Sequence, residues 1–373
     1  MQTTTQAHQN TVRFLRAAAL SFLLLAGCRT GTGQPPAFSP LAFSPDDRVL
    51  VLAPHPDDEV IACGGVIQQA LAMKLPVRVV YFTYGDNNEW SFILYEKKVI
   101  LAPEKIRAMG MVRHAEGMAA CKALGLQPPD SAFLGYPDFG TLNIWMDHWN
   151  EMPAFQSMLT RVTSVPYTNA LHYGAPYKGE SIVADLQDVI RSFHPTKIFV
   201  SHPADQNPDH RALYLFTRSA LLNLKGSPAP ELHPYLVHFR SWPAPQGFHP
   251  LNPLPPPAPF ASDIKWETSP LDEAQLTTKR AALEKHQSQY GYAKKYLESF
   301  LRENELFGDY PVVELRRGQA EKDISAMDGE DIPPDELSAE QRNLFTGIQR
   351  RTVRLEGDDL VITVEFSKPL ASS

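Results

Sequence analysis

The sequence predicts an α/β fold, a mostly parallel sheet with helices on both faces, and three observations carry that prediction. Two runs, "RVLVLAP" from Arg48 and "VRVVYFT" from Val77, are continuously β-branched or aromatic, as strands buried on both faces are. Between them, Asp58 to Lys74 ("DEVIACGGVIQQALAMK") places apolar residues at helical spacing. The same order of strand then helix returns further along the chain, which is how a parallel sheet with crossover helices is written.

Taken in order, the folded part is expected to begin near Asp46. Glu104 to Leu124 reads as a long amphipathic helix stopped by Gly125. "SAFLGYPD" from Ser131 and "KIFVSHP" from Lys197 read as short strands, the second followed by the helix "HRALYLFTRSALLNL" from His210. Trp242 to Pro259 is too rich in proline for a helix or a central strand, so a stiff surface loop is expected, one placed to line a cleft. Residues 272–306 return to a helical pattern. Near the C-terminus "RTVRLEGDDLVITVEF" alternates with period two around Gly357-Asp358-Asp359, a hairpin signal. The domain plan is therefore a Rossmann-like α/β domain over 46–309 and a small β-rich extension over 310–373.

The chain has 373 residues, 43% of them hydrophobic and 21% charged, the balance of a protein with a sizeable core. A net charge of −7 with no basic stripe argues against a nucleic-acid partner. "TVRFLRAAALSFLLLAGC" has Arg13 and Arg16 ahead of a short apolar run, the layout of a secretory signal over residues 1–27. Its end, Leu25-Ala26-Gly27-Cys28, resembles the bacterial lipobox, which implies lipidation at Cys28 and a membrane anchor. Arg29 is not the Asp that retains many such proteins at the inner membrane, so an exported, outer-membrane envelope lipoprotein is expected. Residues 28–45, rich in Gly, Pro, Ser and Thr, then read as a flexible tether. Cys63 and Cys121 sit in helix-like apolar segments and read as core thiols.

The chemistry concentrates at the predicted strand ends. "PHPDDE" (Pro54–Glu59) ends the first strand with a histidine and three acids, and "SHPADQNPDH" (Ser201–His210) follows a later one. Ligands of open α/β sheets bind beyond the carboxyl ends of the strands. Hydrolytic zinc sites offer three protein ligands from His, Asp and Glu and keep a position for water. His55 and Asp58 can converge on one ion, Asp57 is then free as a base, and Asp205 to His210 supplies the third ligand. The alternative is that the acids cap a helix.

These two motifs resemble the LmbE-like family, which includes the PIG-L N-acetylglucosaminyl de-N-acetylases. The resemblance implies one Zn2+ per chain held by His55, Asp58 and His210, with Asp57 as general base, and an N-acetylated amino-sugar substrate. It extends to Arg113 with Glu116, Asp138 in "FLGYPD", and Lys279 with His286-x-Ser288-Gln289, which makes Arg113, Glu116, Asp138 and His286 candidate substrate contacts. His202, Asp205 and Asp209 are candidate supports for the ligands. Where family members often have a His three positions before the last ligand, this chain has Asn207. Asparagine donates a hydrogen bond to an oxyanion and delivers no proton, so the acid is protonated Asp57 or another His, such as His202 or His286. Two rival functions are a hydrolase of another amide or ester and a sugar-binding envelope lipoprotein without catalysis; an intact Asp57 argues against the second.

Overall fold

A computed structural model describes residues 38–87, 102–222, 229–261, 264–324 and 346–367, with Leu224 and Ser338 besides. The chain divides after Ala37, and everything described belongs to the unit from Phe38 onward. The predicted signal segment and Cys28 lie outside the described residues.

The central sheet has five parallel strands: β2 (Val49–Ala53), β3 (Val77–Thr83), β4 (Ser131–Tyr136), β5 (Lys197–Ser201) and β6 (Glu231–Tyr235). Their order across the sheet is β4-β3-β2-β5-β6. In β2, Val49, Val51 and Ala53 join one core while Leu50 and Leu52 join another, so both faces are covered. On the first face lie α1 (Asp58–Ala72) and α2 (Pro103–Ala123); on the second lie α4 (Gly179–Phe193) and α5 (Pro208–Leu222), with the short α3 (Thr141–Asp147) between β4 and α4. This is the α/β fold the sequence predicts.

Several elements escape the sequence patterns. β6 carries Pro234, which a strand tolerates only at a sheet edge, and β6 is an edge. Residues 272–306 are helical over most of their length, but end in a strand. They form α6 (Glu273–Leu283), α7 (Gln287–Leu297) and then β8 (Asn304–Asp309), which pairs antiparallel with β7 (Lys265–Pro270). Order also begins ahead of Asp46, because Ser39 and Pro40 form a strand, β1, parallel to β7. The proline-rich segment is a surface loop, as expected, pinned by the buried Trp242 and Leu254, with Leu254 N donating to Asn304 Oδ1 at 2.8 Å.

A buried ion pair fastens the C-terminal elements to α1. Lys279 Nζ lies 2.6 Å from Glu305 Oε1, and the same carboxylate accepts the N–H groups of Gly65 and Val66 at 2.7 and 2.9 Å. Beyond it, β9 (Lys322–Asp323), β10 (Ile348–Glu356) and β11 (Asp359–Phe366) form a separate antiparallel sheet. The β10–β11 hairpin turns at Gly357-Asp358, where Gly357 supplies a φ of 62°.

Candidate metal centre and active site

The sheet order reverses direction between β2 and β5, and a crevice opens at their carboxyl ends. His55 leaves β2 by a tight turn in which its N–H donates to Asp58 Oδ2 at 2.9 Å. His210 sits in the first turn of α5, the helix that follows β5. These placements bring three donor atoms together. His55 Nδ1 is 3.3 Å from Asp58 Oδ2, His210 Nε2 is 3.2 Å from the same oxygen, and the two nitrogens are 3.3 Å apart.

That triangle fits a zinc ion. Ligands about 2.0–2.1 Å from the centre of a tetrahedron stand about 3.3–3.4 Å from one another. The outer nitrogen of each imidazole is also met by a carboxylate. His210 Nδ1 faces Asp205 Oδ2 at 3.1 Å; His55 Nε2 faces Asp209 Oδ2 at 3.2 Å and Asp138 Oδ1 at 3.1 Å. A proton held on each outer nitrogen leaves the inner lone pair free for a cation. The supports are themselves pinned. Asp205 accepts the N–H groups of Val237, His238 and Asn207, each at 2.9 Å, and Asp209 accepts Phe139 N at 2.6 Å, Thr141 N at 3.2 Å and the Thr141 hydroxyl.

The charge balance points the same way. Asp58, Asp138, Asp205 and Asp209 are all buried around two imidazoles, and unpaired buried carboxylates are costly. Burial alone would lower His55, yet Asp138, Asp209 and Asp58 outweigh it and hold the ring well above its usual range. Burial likewise lowers His210, but Asp205 and Asp58 bring it up to about 9. Asp58 is held well below the carboxylate range by His210 and His55 against the opposing effect of burial. A cation entering the triangle takes the place of protons in the same field.

Asp57 behaves differently from its neighbour. It lines a cavity of about 330 Å³ beside the triangle, together with His55, Asp58, Asp138, Asn207 and His238. Burial pushes its carboxyl up to about 7, although the Arg113 guanidinium 3.8 Å away pulls it down. Its backbone is held at φ 130°, ψ −29°, a region costly for any residue but glycine. Two contacts enforce that conformation. Asp57 N donates to Glu59 Oε2 at 2.9 Å, and Arg113 Nη2 donates to the adjacent Pro56 carbonyl at 2.8 Å. Arg113 also donates Nη1 to Gly85 O at 2.9 Å; a Cβ on Gly85 would lie 2.0 Å from that nitrogen, so only glycine fits.

Asn207 contributes a donor. Its Oδ1 accepts Asp209 N at 2.8 Å at the start of α5, which turns its Nδ2 to the free side of a carboxamide that lines the cavity. Asp138 stands on the wall with Oδ2 accepting Asn87 N at 2.9 Å.

Three expected site residues have other partners. Glu116 accepts Ser288 N at 2.8 Å and the Ser288 hydroxyl, so it fixes the start of α7. His286 Nε2 is 2.8 Å from Glu59 Oε1 and steadies the Asp57 turn from behind. His202 accepts Ala204 N through Nδ1 at 3.0 Å and packs beside Trp266; it shapes the turn after β5 and does not reach the ligands. Sequence reasoning missed Glu59, read only as a cap, and His238. Tyr296 donates its hydroxyl to Val237 O at 2.9 Å, and the same hydroxyl lies 3.2 Å from His238 Nδ1. The available signal for His238 was its place just beyond the end of β6, a strand hidden by its proline.

Comparison with known proteins follows the same residues. Residues 50–221 match the family model described as PIG-L: GlcNAc-PI de-N-acetylase. A 1D-myo-inositol 2-acetamido-2-deoxy-alpha-D-glucopyranoside deacetylase of Mycolicibacterium smegmatis is 34% identical over 110 residues, 27% of this chain and 37% of that one. A protein of Saccharopolyspora erythraea, numbered 1 under the same name, is 26% identical over 176 residues, 46% of this chain and 53% of that one. The matches thus span only about a third to a half of these curated relatives. Among solved structures, N,N'-diacetylchitobiose deacetylase from Pyrococcus horikoshii matches at 18% identity and a TM-score of 0.42, over 70% of this chain and 82% of that chain. Residues 50–221, the segment that carries His55, Asp57, Asp58 and His210, are a PIG-L (LmbE-like) domain by the family match.

Proposed function

We propose that the protein is a zinc-dependent hydrolase that removes the acetyl group from an N-acetylglucosamine-type sugar or glycoconjugate. The observation that carries this reading is the pairing of a three-donor triangle, 3.2–3.3 Å on a side, with a strained carboxylate at Asp57 on the wall of the same cavity. The names of the relatives, which specify an acetamido sugar, support the substrate class. Zinc held by His55, Asp58 and His210 supplies Lewis acidity to the amide carbonyl and makes water there more acidic.

The chain's own groups move the proton and receive the charge. Asp57 takes a proton from the attacking water on its carboxylate. Asn207 donates Nδ2–H to the carbonyl oxygen as that oxygen gains charge. Asp57 then gives the proton to the amide nitrogen, the C–N bond breaks, and acetate and a free amine leave. A carboxyl held near 7 suits both transfers. Neither His202 nor His286 lines the cavity, and burial holds His238, which does, down to about 4 and so uncharged; Asp57 is therefore the acid as well as the base in this reading.

The test is acetate release from N-acetylglucosamine, its glycosides and its oligomers by protein of measured zinc content. Zinc-loaded protein is expected to release acetate, and chelated protein is not. A zinc-loaded protein that releases none from any of them overturns the substrate reading.

We also propose that the protein is exported and anchored through Cys28. The support is the run Leu25-Ala26-Gly27-Cys28 after an apolar stretch.

A further inference from the structure

The cavity is lined by polar and apolar side chains together, and Phe139 stands out among the apolar ones. It lines the cavity yet is 50% exposed. Its ring stacks beside that of His55, with centroids 6.5 Å apart and planes 30° from parallel. Its backbone sits at φ 56°, where a bulky side chain is an outlier and Asn or Gly would be at ease. Its N–H is tied to Asp209 Oδ2 at 2.6 Å, the same oxygen that stands 3.2 Å from the His55 ring. The turn thus bears two costs, an exposed aromatic ring and a left-handed backbone, and one carboxylate holds it in place.

We infer that Phe139 is a specificity-determining residue, a rigid aromatic platform that stacks on the C–H face of the pyranose ring bearing the acetamido group. The ring C–H groups of a sugar project together from one face with partial positive charge, and they meet the negative face of an aromatic ring. Next to His55, such a platform sets the sugar beside the donor triangle and Asp57. Across α7 and α1, Tyr292, Ala293 and Ile61 add apolar surface to the same cavity. Its volume, about 330 Å³, is at the small end of ligand cavities and matches a single sugar unit better than a long chain. The inference rests on the deacetylase reading for its substrate class and adds the residue that recognises the ring.

The experiment compares wild type, Phe139→Ala and Phe139→Trp on two probes: N-acetylglucosamine, and N-acetylethanolamine, which has the amide and no ring. Alanine shares the backbone penalty of phenylalanine at φ 56°, so the first variant isolates the ring; measured zinc content controls for an intact centre. Phe139→Ala should lower the preference for the sugar over the acyclic amide about ten-fold, mainly through KM, and Phe139→Trp should restore most of it. Saturation-transfer NMR on the Asp57→Asn protein reads binding without turnover. It should show transfer from aromatic protons to the sugar ring protons, weakened several-fold when Phe139→Ala is added. Acetate release with unchanged sugar preference in zinc-replete Phe139→Ala overturns the platform and leaves the deacetylase reading standing. If wild type neither hydrolyses nor binds N-acetylglucosamine, both fall.

Discussion

Asp57 and Asp58 are adjacent, of one type, and placed for opposite tasks. Asp58 is a corner of the donor triangle, so Asp58→Ala should lose zinc together with activity, as should His55→Ala and His210→Ala. Asp57→Asn should keep zinc and substrate while kcat falls about 100- to 10,000-fold, the usual contribution of a positioned acid–base group. Near-wild-type turnover in Asp57→Asn would leave the residue a helix cap and nothing more. The same carboxyl sets a pH dependence. Burial raises it to about 7 and the proposed mechanism uses it ionised, so kcat/KM should fall as pH drops below that value. A cation in the triangle favours the carboxylate and moves this limb downward, never upward. A pH profile should therefore show the limb at or below about 7 in the wild type and none in Asp57→Asn. At this scale the sequence is readable where residues sit close together, since a histidine and two acids at one strand end have few other uses. Glu116 and His286 are harder to read, because a sequence records a charged side chain and not the Ser288 or Glu59 group it serves.

Helices α1 and α7 deliver the site's walls, and each is held by a side chain from far along the chain. Glu116 on α2 receives the first turn of α7, while Glu305 on β8 receives the middle of α1. Lys279→Met should leave the Glu305 carboxylate buried without its cation and cost about 3–5 kcal/mol, read from the denaturant midpoint. A loss under about 1 kcal/mol would mean that the two N–H groups alone compensate that charge. Among the elements, β2 and β3 are legible because strands buried on both faces are apolar without a break. β6 is not, for its edge position admits Pro234 and Glu231. The run 272–306 reads as helical because α6 and α7 carry apolar spacing on either side of a short break that includes Lys285-His286, where His286 turns inward to Glu59.

For the whole molecule, the family match ends at residue 221, yet the frame of the site reaches Glu305. The strand order was out of reach of pattern reading, because every strand of a parallel sheet carries the same apolar code whatever its neighbour. Placement in the cell is a separate question with its own test. Cys28→Ser should lose lipid labelling and leave the membrane fraction, and unchanged membrane association would refute the anchor. The Glu305 clamp also bears on how the protein is made. Glu305 meets Gly65 across 240 residues of chain, which a ribosome needs on the order of ten to fifty seconds to add. His55, Asp58 and His210 all emerge before that carboxylate does. A cation captured early would then serve as a provisional clamp on α1 until β8 arrives. Synthesis in the presence of a chelator should accordingly lower the yield of soluble protein more than the same chelator added after folding.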